Sequence, residues 1–204
     1  MSSGQVLQEP YTFEKARNVV MEMADAISLD LVEKRLVTNQ LILTVGFDRE
    51  SLEKPDVAAK YHGNIVMDYY GRTVPKHAHG TANLNGHSSS SKEIIEAVMS
   101  LYDSIVDRNL LIRRLNITTN NIISETDATT KSKEPVQLDL FTDYKALAAE
   151  AGKKNAERDK ERKMQEALIA IKHKFGKNAI LKGTSFSEGS SARDRNNQIG
   201  GHKA

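Results

Sequence analysis

Apolar positions recur with two different periods along the first 123 residues. Spacings of three and four residues, which are typical of a helix with one buried face, occur in two segments. These positions are Phe13, Ala16, Val20, Met23, Ile27 and Leu31 in the first segment, and Ile94, Val98, Leu101 and Ile105 in the second. Between them, large apolar residues occupy every second position of residues 41–47, which predicts a strand with one strongly apolar face.

Turn and capping signals divide this region further. Thr12 and Ser90 stand where helix N-caps are expected, and Ser90 with Glu93 has the spacing of a capping box. Residues 48–63 are polar and predict a loop, and the Gly-Arg pair at 71–72 separates two short strand-like runs, which predicts a hairpin. The remaining strands are predicted at residues 5–7, 77–84 and 110–117.

The order of these elements predicts an α+β domain over residues 1–123. It is β-α-β-β-α-β, with the hairpin inserted between the two central strands. We expect a four-stranded, mainly antiparallel sheet with two helices on one face, because two helices between the strands of one sheet cover only one side of it. The other face of the sheet is then left open.

Polar side chains are predicted on this open face. His79, Thr81 and Asn83 share one side of the strand at 77–84, and Arg114 and Asn116 share one side of the last strand. A face with hydroxyls, amides and a few basic groups suits contact with a nucleic-acid backbone. The alternative is that it is only the solvated outer face of an antiparallel sheet.

The remainder of the chain has a different character. Residues 124–136 predict a flexible linker, residues 142–176 predict a long basic helix ended by Gly176, and residues 177–204 predict a flexible tail. The middle of the helix lacks large apolar residues, which predicts a solvent-exposed segment. The apolar residues expected to pack lie later in it: Met164, Leu168, Ile171 and Phe175.

Charge and composition narrow the function classes. The chain has no cysteine, so disulfides and thiolate metal sites are excluded. No apolar run approaches the roughly 20 residues that span a bilayer, and the first residues do not resemble a secretory signal, so we expect a cytoplasmic protein. Residues 1–123 carry 13 Lys+Arg against 15 Asp+Glu, whereas residues 142–204 carry 14 against 8. Any nucleic-acid contact by the first domain therefore depends on a local patch.

The segment after the predicted linker carries a short motif: Gln137, Leu138, Asp139, Leu140 and Phe141. It resembles the pentapeptide with which bacterial replication and repair proteins bind the β sliding clamp. The amide of Gln137 can pair with backbone groups at a pocket rim, and Leu140 with Phe141 presents a compact apolar anchor. The alternative is an amphipathic start to the following helix, in which these side chains only pack.

Further motifs occur in order along nearly the whole chain. They are residues 4–7, the run from Tyr70 to Lys76, His79 to Leu84, the serines 88–91, Asn109 to Ile117, residues 178–183 and residues 195–202. Together they resemble the C-terminal little-finger domain and tail of Y-family translesion DNA polymerases, in the UmuC-like ImpB/MucB/SamB branch of SOS mutagenesis.

This resemblance implies a DNA-holding domain without catalytic ability of its own. Its open sheet face would lie on the backbone of primer-template DNA. By position, the DNA-facing residues would be Lys76, His79, Thr81, Asn83, Arg113, Arg114, Asn116 and Thr118. Strand alternation places only one of Arg113 and Arg114 on the open face, and Arg114 lies on the same side of the strand as Thr118. Near Thr118, this chain lacks the basic residues that archaeal members of the family have.

The resemblance also implies what lies elsewhere in the parent polymerase. Magnesium would be held by carboxylates of a palm domain preceding residue 1, so we expect no cofactor in this chain. His77, His79 and His87 lack neighbouring carboxylates, and they do not indicate a metal site. We expect a monomer that contacts DNA and the clamp but no membrane. A protein-interaction module that does not bind DNA is the alternative, and the acidic balance of residues 1–123 favours it.

Overall fold

Strands and helices alternate in this computed structural model, which describes residues 1–59, 61–131, 144–199 and 202–203. The strands are β1 (Ser2–Tyr11), β2 (Leu36–Phe47), β3 (Ile65–Met67), β4 (Thr73–Pro75), β5 (Ala78–Ser88), β6 (Ile112–Asn120), β7 (Ile123–Ser124), β8 (Gln198–Ile199) and β9 (His202–Lys203). The helices are α1 (Phe13–Glu33), α2 (Glu50–Glu53), α3 (Pro55–Ala58), α4 (Ser91–Ile105), α5 (Glu125–Lys131), α6 (Tyr144–Phe175) and α7 (Ala192–Asn196), and a 3-10 helix covers Gly183–Phe186.

The main sheet is antiparallel and has the strand order β1-β6-β2-β5, with β7 paired to the start of β2. This arrangement confirms the predicted α+β class and the antiparallel sheet. The region after β6 differs from the prediction, because β7 and α5 extend through residue 131, whereas the sequence predicted a linker over 124–136. The segment at 48–63, predicted as a loop, contains the short helices α2 and α3.

The two sides of β2 have opposite character. Leu41, Leu43 and Val45 are fully buried, and they point toward the layer formed by α1 and α4. The residues between them are only half-buried and lie on the other face. Because side chains alternate along a strand, this pattern fixes the register of the whole sheet and leaves its second face free of the helical layer.

Helices α1 and α4 are joined to each other by one buried and one exposed contact. The Tyr102 hydroxyl donates to the Phe13 carbonyl at 2.8 Å, and their rings lie 4.8 Å apart. Burial raises the pKa of Tyr102, which keeps its hydroxyl protonated as a donor. At the surface, the Arg17 guanidinium donates to both oxygens of Asp103, and this contact lowers the pKa of that carboxyl.

Small residues on the core side of β5 let α4 approach the sheet closely. A Cβ on Gly80 would lie 2.8 Å from Leu101 Cδ1 and 3.2 Å from Ile105 Cγ2. At its other end, α4 begins as predicted at Ser90, whose side chain accepts from the Glu93 amide at 3.2 Å. By contrast, Thr12 precedes α1 but makes no side-chain cap hydrogen bond.

Helix α6 confirms the predicted long C-terminal helix and ends at Gly176, which has φ +95°. Its packing face agrees with the expected one only in part, since Leu168 is half-buried and Ile171 is exposed. Met164 is 56% exposed and Phe175 66% exposed, whereas Gln165 is only 2% exposed and its amide donates to the Ser89 carbonyl and to Ser91 Oγ. The helix therefore docks through polar groups.

The same polar face caps the N-terminus of α4. The Glu161 carboxylate accepts from Ser90 Oγ at 2.6 Å and from the Lys92 amide at 3.0 Å. A carboxylate at this position also interacts favourably with the helix dipole. About one turn before Glu161, Arg158 contacts Glu93 at 2.6 Å, and the residue directly after it, Arg162, contacts Glu125 of α5 at 2.5 Å. The segment predicted to be solvent-exposed is thus a docking surface.

The chain after α6 also packs on the domain, whereas the sequence predicted a flexible tail. Glu22 of α1 is 7% exposed, and its carboxylate accepts from the amides of Ser191 and Ala192 at 3.0 and 2.9 Å and from Ser190 Oγ. Arg195 donates to the Gln5 side chain at 3.1 Å, and burial lowers its pKa. Polar composition suggested disorder, but these contacts are specific hydrogen bonds.

Among the helices of the described residues, none combines the length and the apolar character that a membrane span requires.

We predict that Tyr102→Phe lowers the free energy of unfolding by about 1 kcal/mol, because it removes a buried hydrogen bond between the two helices. Urea denaturation followed by circular dichroism measures this change. Tyr69→Phe is the matched control, since Tyr69 is 95% exposed and should be neutral. Equal stabilities for Tyr102→Phe and the wild type would contradict the role given to this contact.

We predict that Glu161→Gln loosens α6, because an amide oxygen replaces only one of the two carboxylate acceptors and carries no charge. Hydrogen exchange of the backbone amides around residues 158–168 should become roughly tenfold faster. Glu157→Gln, one turn earlier on an exposed position, is the control and should exchange like the wild type. If both variants behave alike, Glu161 does not anchor the helix.

Candidate nucleic-acid interface

The sheet face opposite the helices is arranged in cross-strand rows. Residues paired directly across an antiparallel ladder lie on the same face, so the register defines these rows. The described pairings give three complete rows: Asn120, Gln40 and Asn83; Ser2, Thr118, Ile42 and Thr81; and Gly4, Asn116, Thr44 and His79. A fourth row contains Val6, Arg114 and Gly46. We refer to this surface as the open face.

The structure brings most of the predicted site residues together here. His79, Thr81 and Asn83 of β5 lie on the open face with Arg114, Asn116 and Thr118 of β6. All six are exposed except Thr118, which is half-buried. They share this orientation because each of them pairs directly with an even-numbered residue of β2. The prediction that these residues of β5 and β6 lie on one face of the sheet is therefore confirmed.

Hydrogen bonds across the strands hold these polar groups in place. Thr44 Oγ1 and His79 Nδ1 lie 2.9 Å apart, and the Gln40 amide donates to Asn83 Oδ1 at 3.0 Å. Near the opposite edge of the sheet, on the same face, Ser2 Oγ of β1 donates to Asn116 Oδ1 of β6 at 2.9 Å. These side chains satisfy one another in pairs, and each hydroxyl or amide keeps further hydrogen-bonding capacity for a ligand.

Arg114 is the cation of the open face. Its side chain is exposed and makes no ion pair within the part of the chain that the structure describes. It lies beside Gly46, where an added Cβ would be 3.2 Å from Arg114 Cβ and under 4 Å from Cγ and Cδ. The glycine thus gives the aliphatic part of Arg114 room to lie beside β2.

Arg113 occupies a different setting because β6 contains a bulge. The register shifts where Gly46 pairs with Arg114 but Phe47 pairs with Ile112, which leaves Arg113 without a partner on β2. Ile112 and Leu115, three residues apart, consequently both reach the core. Arg113 stays half-exposed with its guanidinium 3.7 Å from the Asp48 carboxylate.

The bulge places both arginines at the same cleft. Residues from the end of β2, the β3–β4 hairpin and the connection before β5 surround a cleft of about 740 Å³ lined by Arg113 and Arg114 together. Strand alternation alone assigned them to opposite faces. Lys76, predicted as a DNA contact, is exposed in the connection before β5 and forms no ion pair among the described residues.

Sequence reasoning missed several parts of this surface. Ser2, Gln40, Thr44 and Asn120 belong to the open face, although only their neighbours were predicted to contribute. All four have even residue numbers on β1, β2 and β6, which the sequence shows, but the sequence does not show how these strands pair. The cleft was missed because its lining comes from segments far apart in sequence, joined only by the tertiary fold.

The other predicted sites have different outcomes. The motif from Gln137 to Phe141 lies outside the described residues, between α5 and α6. For metals, no group of three or more His, Cys, Asp or Glu suited to hold an ion occurs in the described ranges. His77 and His79 are ring neighbours with centroids 6.4 Å apart.

Comparison with known proteins agrees with the motifs in the sequence. The model of the impB/mucB/samB family C-terminal domain matches residues 1–140. DNA polymerase IV 2 of Halalkalibacterium halodurans is 28% identical over 129 residues, which are 63% of this chain. The chain spans about a quarter of the length of that curated relative, since the match covers 26% of it. The chain belongs to the impB/mucB/samB C-terminal domain family, and it is the C-terminal domain of a Y-family DNA polymerase.

Proposed function

We propose that this chain is the non-catalytic part of an error-prone translesion polymerase that holds primer-template DNA on its open face. The observation that carries the proposal is the exposed, uncovered sheet face on which Arg114 and rows of hydroxyl and amide groups lie together. Such groups are the usual partners of phosphate and sugar atoms, which position a duplex without reading its sequence. The family membership supplies the biological setting.

The modest charge of the open face limits how strongly it binds. Arg114 is the one arginine in its rows, and Lys76 lies near the start of β5. A domain with few phosphate contacts binds weakly and with a small salt dependence, because each neutralised phosphate adds about 0.9 to the slope of log affinity against log salt. The domain would therefore contribute weak additional contacts to DNA that the catalytic domains already bind.

The clamp-binding pentapeptide completes the proposal. Residues Gln137 to Phe141 would tether the polymerase to the β sliding clamp, at micromolar affinity typical of a short peptide. Tethering raises the local concentration of the polymerase at the primer terminus. Nucleotide transfer itself, with its magnesium ions, would belong to a palm domain outside this chain, and the protein would act in the cytoplasm at the nucleoid.

A second function of another class is a protein-interaction module that does not bind DNA. It is favoured by the balance of 13 Lys+Arg against 15 Asp+Glu over residues 1–123. Binding of a fluorescent primer-template to the 204-residue chain separates the two. Absence of binding at low salt would favour the interaction module.

We predict that Arg114→Ala weakens binding to duplex DNA several-fold and reduces the salt slope by about one, since it removes one phosphate contact. Fluorescence polarization at several salt concentrations measures both quantities. Arg193→Ala is the matched control, because Arg193 is an exposed arginine of α7 on the helical side. An unchanged slope for Arg114→Ala would remove this residue from the interface.

We predict that Leu140→Ala/Phe141→Ala weakens clamp binding by at least about tenfold, because the two side chains form the apolar anchor of the motif. Surface plasmon resonance with immobilised clamp measures the affinity. Thr142→Ala, directly after the motif, should bind like the wild type. Equal affinity of the double variant and the wild type would refute the motif.

A further inference from the structure

The β3–β4 hairpin exposes two aromatic rings beside the end of the open face. Tyr69 is 95% exposed and Tyr70 68% exposed, and their rings meet edge to face with centroids 5.4 Å apart. Met67 in the same hairpin is 74% exposed. Large apolar groups clustered on the surface in this way mark a binding site more often than scattered ones do. The hairpin also lines the cleft that contains Arg113 and Arg114.

The turn that carries the rings is held rigidly by one carboxylate. Asp68 Oδ1 accepts from the amides of Tyr70 and Arg72, each at 2.9 Å, and Asp68 Oδ2 accepts from Arg72 Nε at 2.8 Å. The Arg72 guanidinium also lies 4.9 Å from the centroid of the Tyr70 ring. Gly71, with φ +74°, permits the tight turn. Because the turn is already ordered, a ligand loses little binding energy in fixing it.

The charges of the cleft select the kind of ligand. Four arginines line it, at positions 49, 72, 113 and 114, against the carboxylates of Asp48, Glu50 and Asp68. Asp68 is engaged by Arg72 and Asp48 by Arg113, whereas Arg114 forms no ion pair among the described residues. Arg49 pairs with Glu53, and Glu50 forms no ion pair among the described residues, so the unpaired cation of the cleft is Arg114, which also belongs to the open face. This position suits an anionic chain passing from the cleft to the open face.

We propose that Tyr69 and Tyr70 form a stacking platform for unpaired bases of single-stranded template DNA, with Arg114 contacting the adjoining backbone. This inference rests on the proposed function, because it extends a strand already held on the open face. Bases within a duplex are stacked on each other and offer no face to an exposed ring. An unpaired base offers its face to such a ring, and aromatic rings next to cations are the usual platform for single strands.

The test compares one blunt duplex with the same duplex carrying a single-stranded template overhang, by fluorescence polarization with the 204-residue chain. Tyr69→Ala/Tyr70→Ala should remove the affinity that the overhang adds, at least about fivefold, and leave blunt-duplex binding unchanged. Tyr69→Phe/Tyr70→Phe keeps both rings and should bind the overhang like the wild type. Thermal unfolding of each variant checks that the domain stays folded.

A base analogue supplies a second readout that depends on stacking itself. The fluorescence of 2-aminopurine placed at successive overhang positions should be quenched at one or two positions by the wild type and the phenylalanine variant. The alanine variant should lose this quenching. Arg114→Ala, by contrast, should weaken binding of the duplex both with and without the overhang.

The outcomes separate this inference from the function on which it rests. The platform is refuted if the wild type binds blunt duplex and the overhang adds no affinity, or if the alanine variant keeps all of the affinity that the overhang adds. Either result leaves the proposal that the open face binds DNA intact, and the hairpin is then a surface for a protein partner. If the wild type binds neither substrate, both proposals fail. If the wild type binds only the substrate with the overhang, and the alanine variant loses this binding, the platform is supported and DNA binding by the open face is rejected.

Discussion

The packing of α1 and α4 side by side on one face of the sheet is the constraint on which the rest of the molecule depends. It requires that every second residue of β2 be apolar, that β5 carry small residues such as Gly80 on the same side, and that Tyr102 reach the first turn of α1. Because both helices pack on this side, no helix among the described residues covers the opposite face. The exposed polar rows are a consequence of that asymmetry.

The outer side of this helical layer is covered by the C-terminal part of the chain, largely through hydrogen bonds. Glu161 binds the N-terminus of α4, and Glu22 of α1 binds the N-terminus of α7. The two contacts mirror each other, since each carboxylate satisfies backbone amides that a helix start leaves unpaired. Polar docking of this kind is specific in geometry, because each hydrogen bond requires its donor and acceptor at one distance and angle.

The sequence predicted the fold well where one face of an element is apolar, as in α1, α4 and β2. It failed where contacts are polar and distant: the packing of α6 through Gln165 has no apolar signal, and Met164 was expected to pack but is exposed. Within the site, alternation assigned Arg114 to the open face. The position of Arg113 depends on a bulge, and a bulge changes the register without leaving a clear pattern in residue types.

The ion pair between Arg162 of α6 and Glu125 of α5 has a consequence for the segment between these two helices. Residues 132–143, which include the proposed clamp motif, stand between α5 and α6 in the sequence. A segment fixed at both ends explores a smaller volume than a free tail of equal length. A partner that binds the proposed clamp motif would therefore stay at a bounded distance from the open face.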